Sequence, residues 1–324
     1  MIPVRIAGTA TVRPGRAVPT ADLAAMVQPP RDARDVEART GIVSRHHAHP
    51  GATAAELGAA ALRAALDAAG MSAEALARLF FVDSLGGDML IPATSNGVAA
   101  ALGLAGTCDC LDLNNACMGF LSALDLGARS LATGSGPVGI VVVELGSRYV
   151  APTEPRPFLV LGDGVAAVVL DVARGDEGIL ASVLRNDPTR DTGVRLKHGS
   201  LTGQPERIRF GISNEHLSRM AIDAVRRSVD AVLSESGLRL ADMDWVLPHQ
   251  PNGTMLEEIV RLLGLDGDRV VRVVHEVGSV GAASIPISLD RLVRTRPVRP
   301  GDHILMAGVG AGLSTGAMIL RLGR

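Results

Sequence analysis

The feature that most constrains the fold of this chain is an internal repeat. Residues 54–82, "AAELGAAALRAALDAAGMSAEALARLFFV", have the pattern of a helix that stops at Gly70, a short acidic turn and a buried strand. Residues 218–248, "SRMAIDAVRRSVDAVLSESGLRLADMDWVLP", follow the same order and stop at Gly237. Because self-similarity at this scale indicates a duplicated unit, the chain predicts two equivalent halves.

Each repeat continues into a second unit. In the first half this unit is a turn around Cys117, a helix to about Ala132 and the strand "VGIVVVE". In the second half it is the strand "VVRVV", a glycine-rich turn near Ser279, a helix and the strand "HILMAG". Strands that alternate with helices predict an α/β architecture with mainly parallel, buried strands. Two such halves imply two sheets that pack through shared helices.

Three regions follow from this pattern. We predict an N-terminal half at 1–170, connecting and covering loops at 171–212, and a C-terminal half at 213–324. The middle region breaks the alternation with "RGDEG", "NDPTRDTG" and "KHGSLTGQPE". Segments of this polar, glycine-containing type form surface loops, which can cover a site.

Composition excludes several classes of protein. Hydrophobic residues make up 47% of the 324 residues, and charged residues 20%, so the chain can bury a large interior. The net charge of −2, with arginines spread along the chain, argues against nucleic acid as a partner. No apolar run reaches membrane-spanning length, and the N-terminal segment around Arg5 reads as a strand rather than a signal peptide. We expect a cytoplasmic protein that does not bind membranes.

The cysteines and clustered histidines give no metal site. Cys108 and Cys110 are two apart in the strand-like segment "TCDCLDL", so both side chains face one side of the strand. An odd total of three cysteines argues against a disulfide framework. The cluster "SRHHAHP" has no matching cysteines or acids, and we interpret it as a surface loop. We predict no metal and no cofactor.

Three turns are candidates for the functional site. Cys117 precedes a helix, whose dipole and free N–H groups would lower the pKa of its thiol; the alternative is a small buried residue. His249 lies in the rigid turn "LPHQPN", where it could act as a base or hydrogen-bond donor, or be structural. If the halves pack about a pseudo-twofold axis, these turns and the Ser279 turn converge at the carboxyl ends of strands. The glycine-rich segment "GVGAGLSTG" could then direct an N–H group at a developing oxyanion.

Six motifs carry a family resemblance along nearly the whole chain. They are "RTGIVSRH" (39–46), "NNACMGFLSAL" (114–124), "LGDGVAAVVL" (161–170), "WVLPHQPN" (245–252), "GSVGAASIPISL" (278–289) and "GVGAGLSTG" (308–316). In this order they resemble the β-ketoacyl-acyl carrier protein synthase III group of condensing enzymes. The resemblance implies a thiolase-like α/β fold with a duplicated α-β-α-β-α five-layer architecture. It also implies a homodimer that uses acyl-coenzyme A or acyl carrier protein thioesters as substrates.

The resemblance assigns roles to individual residues. Cys117 matches the nucleophile that becomes acylated, and His249 matches the catalytic histidine. The backbone N–H groups of Cys117 and Ala311 match the oxyanion hole. Three further residues fall at the substrate pocket: Ile91, Asn252 and Gly310. Ile91 lies where the partner subunit closes the acyl pocket, and it is smaller than the aromatic residue often found there, which would permit a longer or bulkier acyl group.

Departures from the family pattern concern the second substrate. The family's catalytic asparagine is replaced by Ser279, whose shorter side chain donates one hydrogen bond. Loss of one such donor can cost about 3 kcal/mol of transition-state stabilisation. A tryptophan expected before "RTGI" is missing, with Asp35 nearby, and Thr254 lies near the position of a basic residue that meets carrier protein.

We therefore expect an acyltransferase that loads Cys117 from an acyl thioester and transfers the acyl group to an oxygen, nitrogen or carbon nucleophile. Its pathway would be a specialised, secondary-metabolite or fatty-acid-type one. The close alternative is decarboxylative condensation of acyl-coenzyme A with malonyl-acyl carrier protein. A third possibility is a non-catalytic subunit that pairs with an active partner.

Overall fold

The computed structural model describes residues 1–190, 192–203 and 206–323. Its strands are β1 (Ile2–Pro3), β2 (Arg5–Val12), β3 (Gly15–Pro19), β4 (Ser44–Ala48), β5 (Arg78–Val82), β6 (Asp109–Leu113), β7 (Val138–Leu145), β8 (Asp163–Asp171), β9 (Gly178–Asn186), β10 (Val194–Arg195), β11 (Arg209–Phe210), β12 (Trp245–Pro248), β13 (His303–Gly310) and β14 (Ser314–Arg321). Its helices are α1 (Thr20–Met26), α2 (Ala33–Thr40), α3 (Ala54–Ala69), α4 (Thr94–Ala101), α5 (Gly119–Ala132), α6 (Pro155–Val160), α7 (Gly199–Thr202), α8 (Asn214–Ser236), α9 (Gly253–Leu262), α10 (Val274–Val277) and α11 (Ser284–Thr295).

The core consists of two five-stranded sheets. The first has the order β2-β8-β7-β5-β6 and the second the order β1-β9-β14-β13-β12. Only the pairs β5–β6, β5–β7 and β12–β13 are parallel within these sheets. The prediction of mainly parallel strands is therefore wrong. Helices cover the sheets, so the buried strands read as apolar runs whatever their direction.

The layers follow the predicted duplication. Helices α5 and α11 lie between the sheets, since each contacts strands of both. Helix α3 packs on the outer face of the first sheet, against β2 and β8, and α8 packs on the outer face of the second, against β14 and β9. The five-layer α-β-α-β-α order is confirmed.

Glycine ends both repeat helices. Helix α3 starts at a capping box formed by Thr53 and Glu56 and ends at Gly70, with φ 62°. Helix α8 ends at Gly237, with φ 71°. Residues 270–274 do not form the predicted strand: Val270 makes a single bridge to Val246, and α10 begins at Val274.

The middle region contains more than covering loops. Strand β9 lies inside the second sheet, between β1 and β14, because its apolar side chains pair there rather than face solvent. The remainder includes β10, α7 and β11, while residues 191, 204 and 205 of the predicted loops lie outside the described ranges. The three-region division itself stays a prediction.

The histidine cluster is not a surface loop. Residues 44–48 form β4, which pairs antiparallel with β3. Arg45 within it is fully buried and donates hydrogen bonds to the Thr20 hydroxyl and the Leu159 carbonyl. The Sγ atoms of Cys108 and Cys110 lie 3.4 Å apart, so both side chains face one side as predicted, although β6 begins at Asp109 and Cys108 lies just before it.

Two negative findings concern the described residues alone. None of their helices combines the length and apolar character that crossing a bilayer requires. Nor do three or more histidine, cysteine, aspartate or glutamate side chains come together there as a metal site would need.

Candidate active site

The Cys117 turn joins β6 to α5. Ala116 adopts the left-handed conformation, with φ 46°, so the chain reverses sharply just before the cysteine. The Asn115 side chain fixes the turn, because its amide donates to the Ser122 hydroxyl and its oxygen accepts from the Ser314 hydroxyl, both at 2.8 Å. The turn before α5 is therefore tied both to α5, through Ser122, and to the second sheet, through Ser314.

His249 directly follows β12. Its backbone N–H donates to the Ala307 carbonyl at 2.8 Å, which extends the pairing with β13 by one residue. The fully buried Gln250 beside it anchors the turn. The side chain of Gln250 donates to the Val271 carbonyl and the Ser288 hydroxyl, and accepts from the N–H groups of Val273 and Val274. The sequence reading missed this anchor, although its place next to the histidine was visible.

Ser279 lies in a turn whose backbone is hydrogen-bonded to residues 160–162. Its N–H donates to the Val160 carbonyl at 2.8 Å, and its carbonyl accepts from Gly162 N–H at 3.0 Å. Gly278 precedes it at φ 72°, and a methyl group there would lie 3.0 Å from the Cβ of the buried Arg45. These contacts fix the backbone of Ser279, a residue that is 8% exposed.

One cavity of about 430 Å³ joins these turns. Cys117, His249 and Ser279 all line it, so the three turns converge as the duplication implies. Three more predicted site residues line it: Asn252, Gly310 and Ala311. Asn252 is also the N-cap of α9, where it accepts from Met255 N–H at 2.8 Å. Ile91 is outside the lining and is 89% exposed.

The electrostatics at Cys117 differ from the prediction. Burial, with a smaller effect of the nearby Glu144, raises the pKa of the thiol to about 12. The expected lowering is wrong because Cys117 lies two residues before the first helical residue, and loss of hydration outweighs the helix dipole. Burial also lowers the pKa of His249 to about 4. The thiol and the imidazole are therefore both neutral at rest.

Glu144 is a cavity residue that the sequence reading missed. It lies near the end of β7 and is only 2% exposed. Its carboxyl group accepts from the Ser84 hydroxyl at 2.7–2.8 Å and from Ala282 N–H at 3.2 Å. Burial first, and Asp83 second, raise its pKa to about 8. The available signal was a single charge inside the otherwise apolar strand "VGIVVVEL".

Arginines gather along part of the cavity wall, which the sequence reading also missed. Four of them line the cavity: Arg31, Arg39, Arg156 and Arg195. Arg156 donates to the carbonyls of Phe210 and Ile212 through Nη1. Its Nε and Nη2 are buried without a hydrogen-bond partner among the described residues. The wall can therefore receive an anionic or carbonyl-rich substrate.

Comparison with known proteins shows which family the chain resembles. Residues 111–188 match the family described as 3-oxoacyl-[acyl-carrier-protein (ACP)] synthase III, and residues 233–322 match its C-terminal counterpart. The β-ketoacyl-[acyl-carrier-protein] synthase III of Neisseria meningitidis serogroup A is 32% identical over 324 residues, which cover 98% of each chain.

Two solved structures are also similar. The 3-oxoacyl-(acyl carrier protein) synthase III of Pseudomonas aeruginosa PAO1 has a TM-score of 0.90 and 30% identity, over 99% of each chain. The priming β-ketosynthase from the R1128 polyketide biosynthetic pathway has a TM-score of 0.90 and 29% identity, over 99% of this chain and 96% of the other. The fold is thus thiolase-like, and its class is that of acyltransferase-type condensing enzymes. The chain belongs to the β-ketoacyl-acyl carrier protein synthase III family.

Proposed function

We propose that this enzyme transfers an acyl group in two steps, from a thioester to Cys117 and then to a second substrate. The observation that carries the proposal is the convergence of Cys117, His249 and Ser279 on one cavity. A thiol beside an imidazole and a backbone turn provides a nucleophile, a base and oxyanion donors.

In the first step the thiol attacks while it loses its proton. Because the pKa of Cys117 is about 12 and that of His249 about 4, a resting ion pair does not form. The proton therefore passes to a ring nitrogen of His249 as Sγ bonds to the thioester carbonyl. The oxyanion accepts hydrogen bonds from Cys117 N–H and Ala311 N–H. When the intermediate collapses, the donor thiol leaves with the proton from His249 and the acyl group stays on Cys117.

In the second step the acceptor takes the acyl group. Ser279 offers a single short hydroxyl donor where the family resemblance expects an amide, which weakens support for an enolate. An oxygen, nitrogen or carbon nucleophile that gives its proton to His249 forms no enolate. Its reaction therefore does not need the amide donor that Ser279 replaces. This reaction fits a specialised pathway, of the secondary-metabolite or fatty-acid type.

Decarboxylative condensation is the second candidate. The neutral protonation state of His249 favours it. A neutral imidazole carries one N–H, so His249 can donate a hydrogen bond to a malonyl thioester oxygen. Relatives named β-ketoacyl-[acyl-carrier-protein] synthase III also support this reaction.

The variant Ser279→Asn separates the two candidates. If acyl transfer without decarboxylation is the reaction, wild type releases carbon dioxide slowly from malonyl thioester and the variant releases it about 100-fold faster. Release at a high rate in wild type, unchanged in the variant, would contradict our proposal and favour condensation. Ser84→Asn tests whether any added amide in the cavity has the same effect.

The donor is proposed to be a thioester of coenzyme A or of acyl carrier protein. Both carry a phosphopantetheine arm, whose phosphate and amide carbonyls match the arginines along the cavity wall. Arg156 supports this assignment most directly, since two of its donor atoms lack partners among the described residues.

A homodimer is proposed from two adjoining surfaces. Met89, Leu90 and Ile91 are 53%, 73% and 89% exposed, which forms a local apolar surface. Strand β6 is the edge of the first sheet, so one side of its backbone is open to pairing. Both surfaces would be covered if two copies met along this edge.

A further inference from the structure

Ala282 binds Glu144 and lies close to the start of α5, which follows the Cys117 turn. The backbone N–H of Ala282 donates to Glu144 Oε1 at 3.2 Å. A methyl group on Gly119, the first residue of α5, would lie 3.7 Å from the Ala282 Cβ. Glu144 and Cys117 also line the same cavity, and burial removes both the carboxyl group and the thiol from bulk water.

The hydrogen-bond donors that face Glu144 carry no charge. They are the hydroxyl and the backbone amide of Ser84 and the backbone amide of Ala282. Opposite Glu144, β8 presents Gly164, and the turn at 281–283 has no titratable side chain. A methyl group on Gly281 would be 3.0 Å from the carboxyl carbon, so the group is tightly enclosed.

The titratable groups around Glu144 add no positive charge. Asp83, after β5, raises the pKa of Glu144, and Asp112, in β6, acts in the same direction on Asp83. Cys117 lies before α5, and its thiol is disfavoured as an anion by Glu144. His249, after β12, lines the same cavity as a neutral imidazole.

We propose that Glu144 is a positioning residue that controls proton loss from Cys117. The thiol gives its proton to His249 while the Glu144 carboxyl group keeps its own, and an ionised Glu144 opposes the step. The physical cause is repulsion between two anions that burial places in an environment of low dielectric constant. The proposal rests on the proposed function in taking Cys117 as the nucleophile and His249 as the acceptor of its proton.

The alkylation rate of Cys117 tests this proposal without any thioester. Iodoacetamide is added between pH 6 and pH 10.5, and labelling is followed by mass spectrometry after cleavage before Asp112, which separates Cys117 from Cys108 and Cys110. Because the pKa of Glu144 is about 8, the rate in wild type should rise with pH, flatten near pH 8 and rise again. In Glu144→Gln the flattening should vanish, and labelling at pH 9.5 should be about tenfold faster.

Two further variants distinguish charge from structure. Ser84→Ala removes a hydrogen bond but keeps the charge of Glu144, so it should retain the flattening. Asp83→Asn leaves Glu144 in place but removes the charge that raises its pKa, so it should move the flattening to lower pH. Asp83→Asn also serves if Glu144→Gln fails to fold.

Identical pH profiles in wild type, Glu144→Gln and Asp83→Asn would overturn the proposal. So would a Ser84→Ala profile that matches Glu144→Gln, since the effect would then be structural. Acyl loading of Cys117 can still be measured if either result is found, so the proposed function is tested separately. If wild type shows the flattening near pH 8 but is not acylated by any thioester, only the proposed function is refuted.

Discussion

Gly310 and Cys117 approach so closely that a methyl group on Gly310 would lie 3.1 Å from the Cys117 amide nitrogen. The same methyl would be 3.3 Å from the Met118 nitrogen. The end of β13 and the turn before α5 therefore meet backbone to backbone. This contact sets the distance between the two proposed oxyanion donors, at Cys117 and Ala311.

Gly310→Ala should slow acyl loading about tenfold, because a methyl group 3.1 Å from the Cys117 nitrogen requires a shift of a few tenths of an ångström, whereas a displacement of about 1 Å at reacting groups costs about 100-fold. The measurement is the rate of acyl-enzyme formation with a saturating thioester. Gly51→Ala is the matched control, since a methyl group there meets nothing within 4 Å. Equal rates in both variants would show that the close approach does not matter for loading.

Acid should destabilise the fold through His249. Its pKa is about 4 in the folded protein and near 6.5 when exposed, so the unfolded chain binds more protons between these values. The free energy of unfolding should fall from pH 6.5 to pH 4, by at most about 3 kcal/mol from this residue. Urea unfolding of His249→Asn should have a shallower pH dependence over this range, whereas exposed His49→Asn should match wild type. Parallel curves for all three proteins would refute the assignment.

Arg156→Leu should raise the KM for an acyl-coenzyme A about tenfold, since it removes the proposed charge-assisted contact with the phosphopantetheine arm. The KM for an N-acetylcysteamine thioester, which lacks phosphates, should change much less. Arg63→Leu on the outer helix α3 is the control. An equal rise for both thioesters would mean that Arg156 supports the cavity wall rather than the phosphopantetheine arm.

Ile91→Asp should dissociate the proposed dimer, because a charge would be buried at its interface. Light scattering after size-exclusion chromatography gives the mass directly. Leu201→Asp is a suitable control, as Leu201 is 80% exposed but lies far along the chain, in α7. The dimer prediction fails if wild type has the mass of a single chain, or if only the control changes mass.

The internal repeat was sufficient to predict the order of the layers and the convergence of three turns on one cavity. Gly70 and Gly237 end their helices as predicted, since local stop signals are written in neighbouring residues. The direction of strands was not predictable in the same way. β1 pairs with β9, at Ile2↔Ile179, and no local pattern reports a partner so far along the chain.

The charges of the site were the least predictable part. Helix polarity gave the wrong sign for the pKa of Cys117, because burial by both sheets dominates. Arg45 appeared in a polar cluster, yet it is fully buried under the Ser279 turn. Such effects depend on which segments pack together, and the sequence specifies them only through the completed fold.

The most direct measurement for the account as a whole is intact-protein mass spectrometry with a panel of acyl-coenzyme A thioesters. Wild type should gain the mass of one acyl group, and Cys117→Ala should gain none. The acyl group with the largest occupancy would identify the preferred chain. If acyl carrier protein thioesters are included and wild type still gains no mass, or if Cys117→Ala gains the same mass, Cys117 is not the acylated nucleophile.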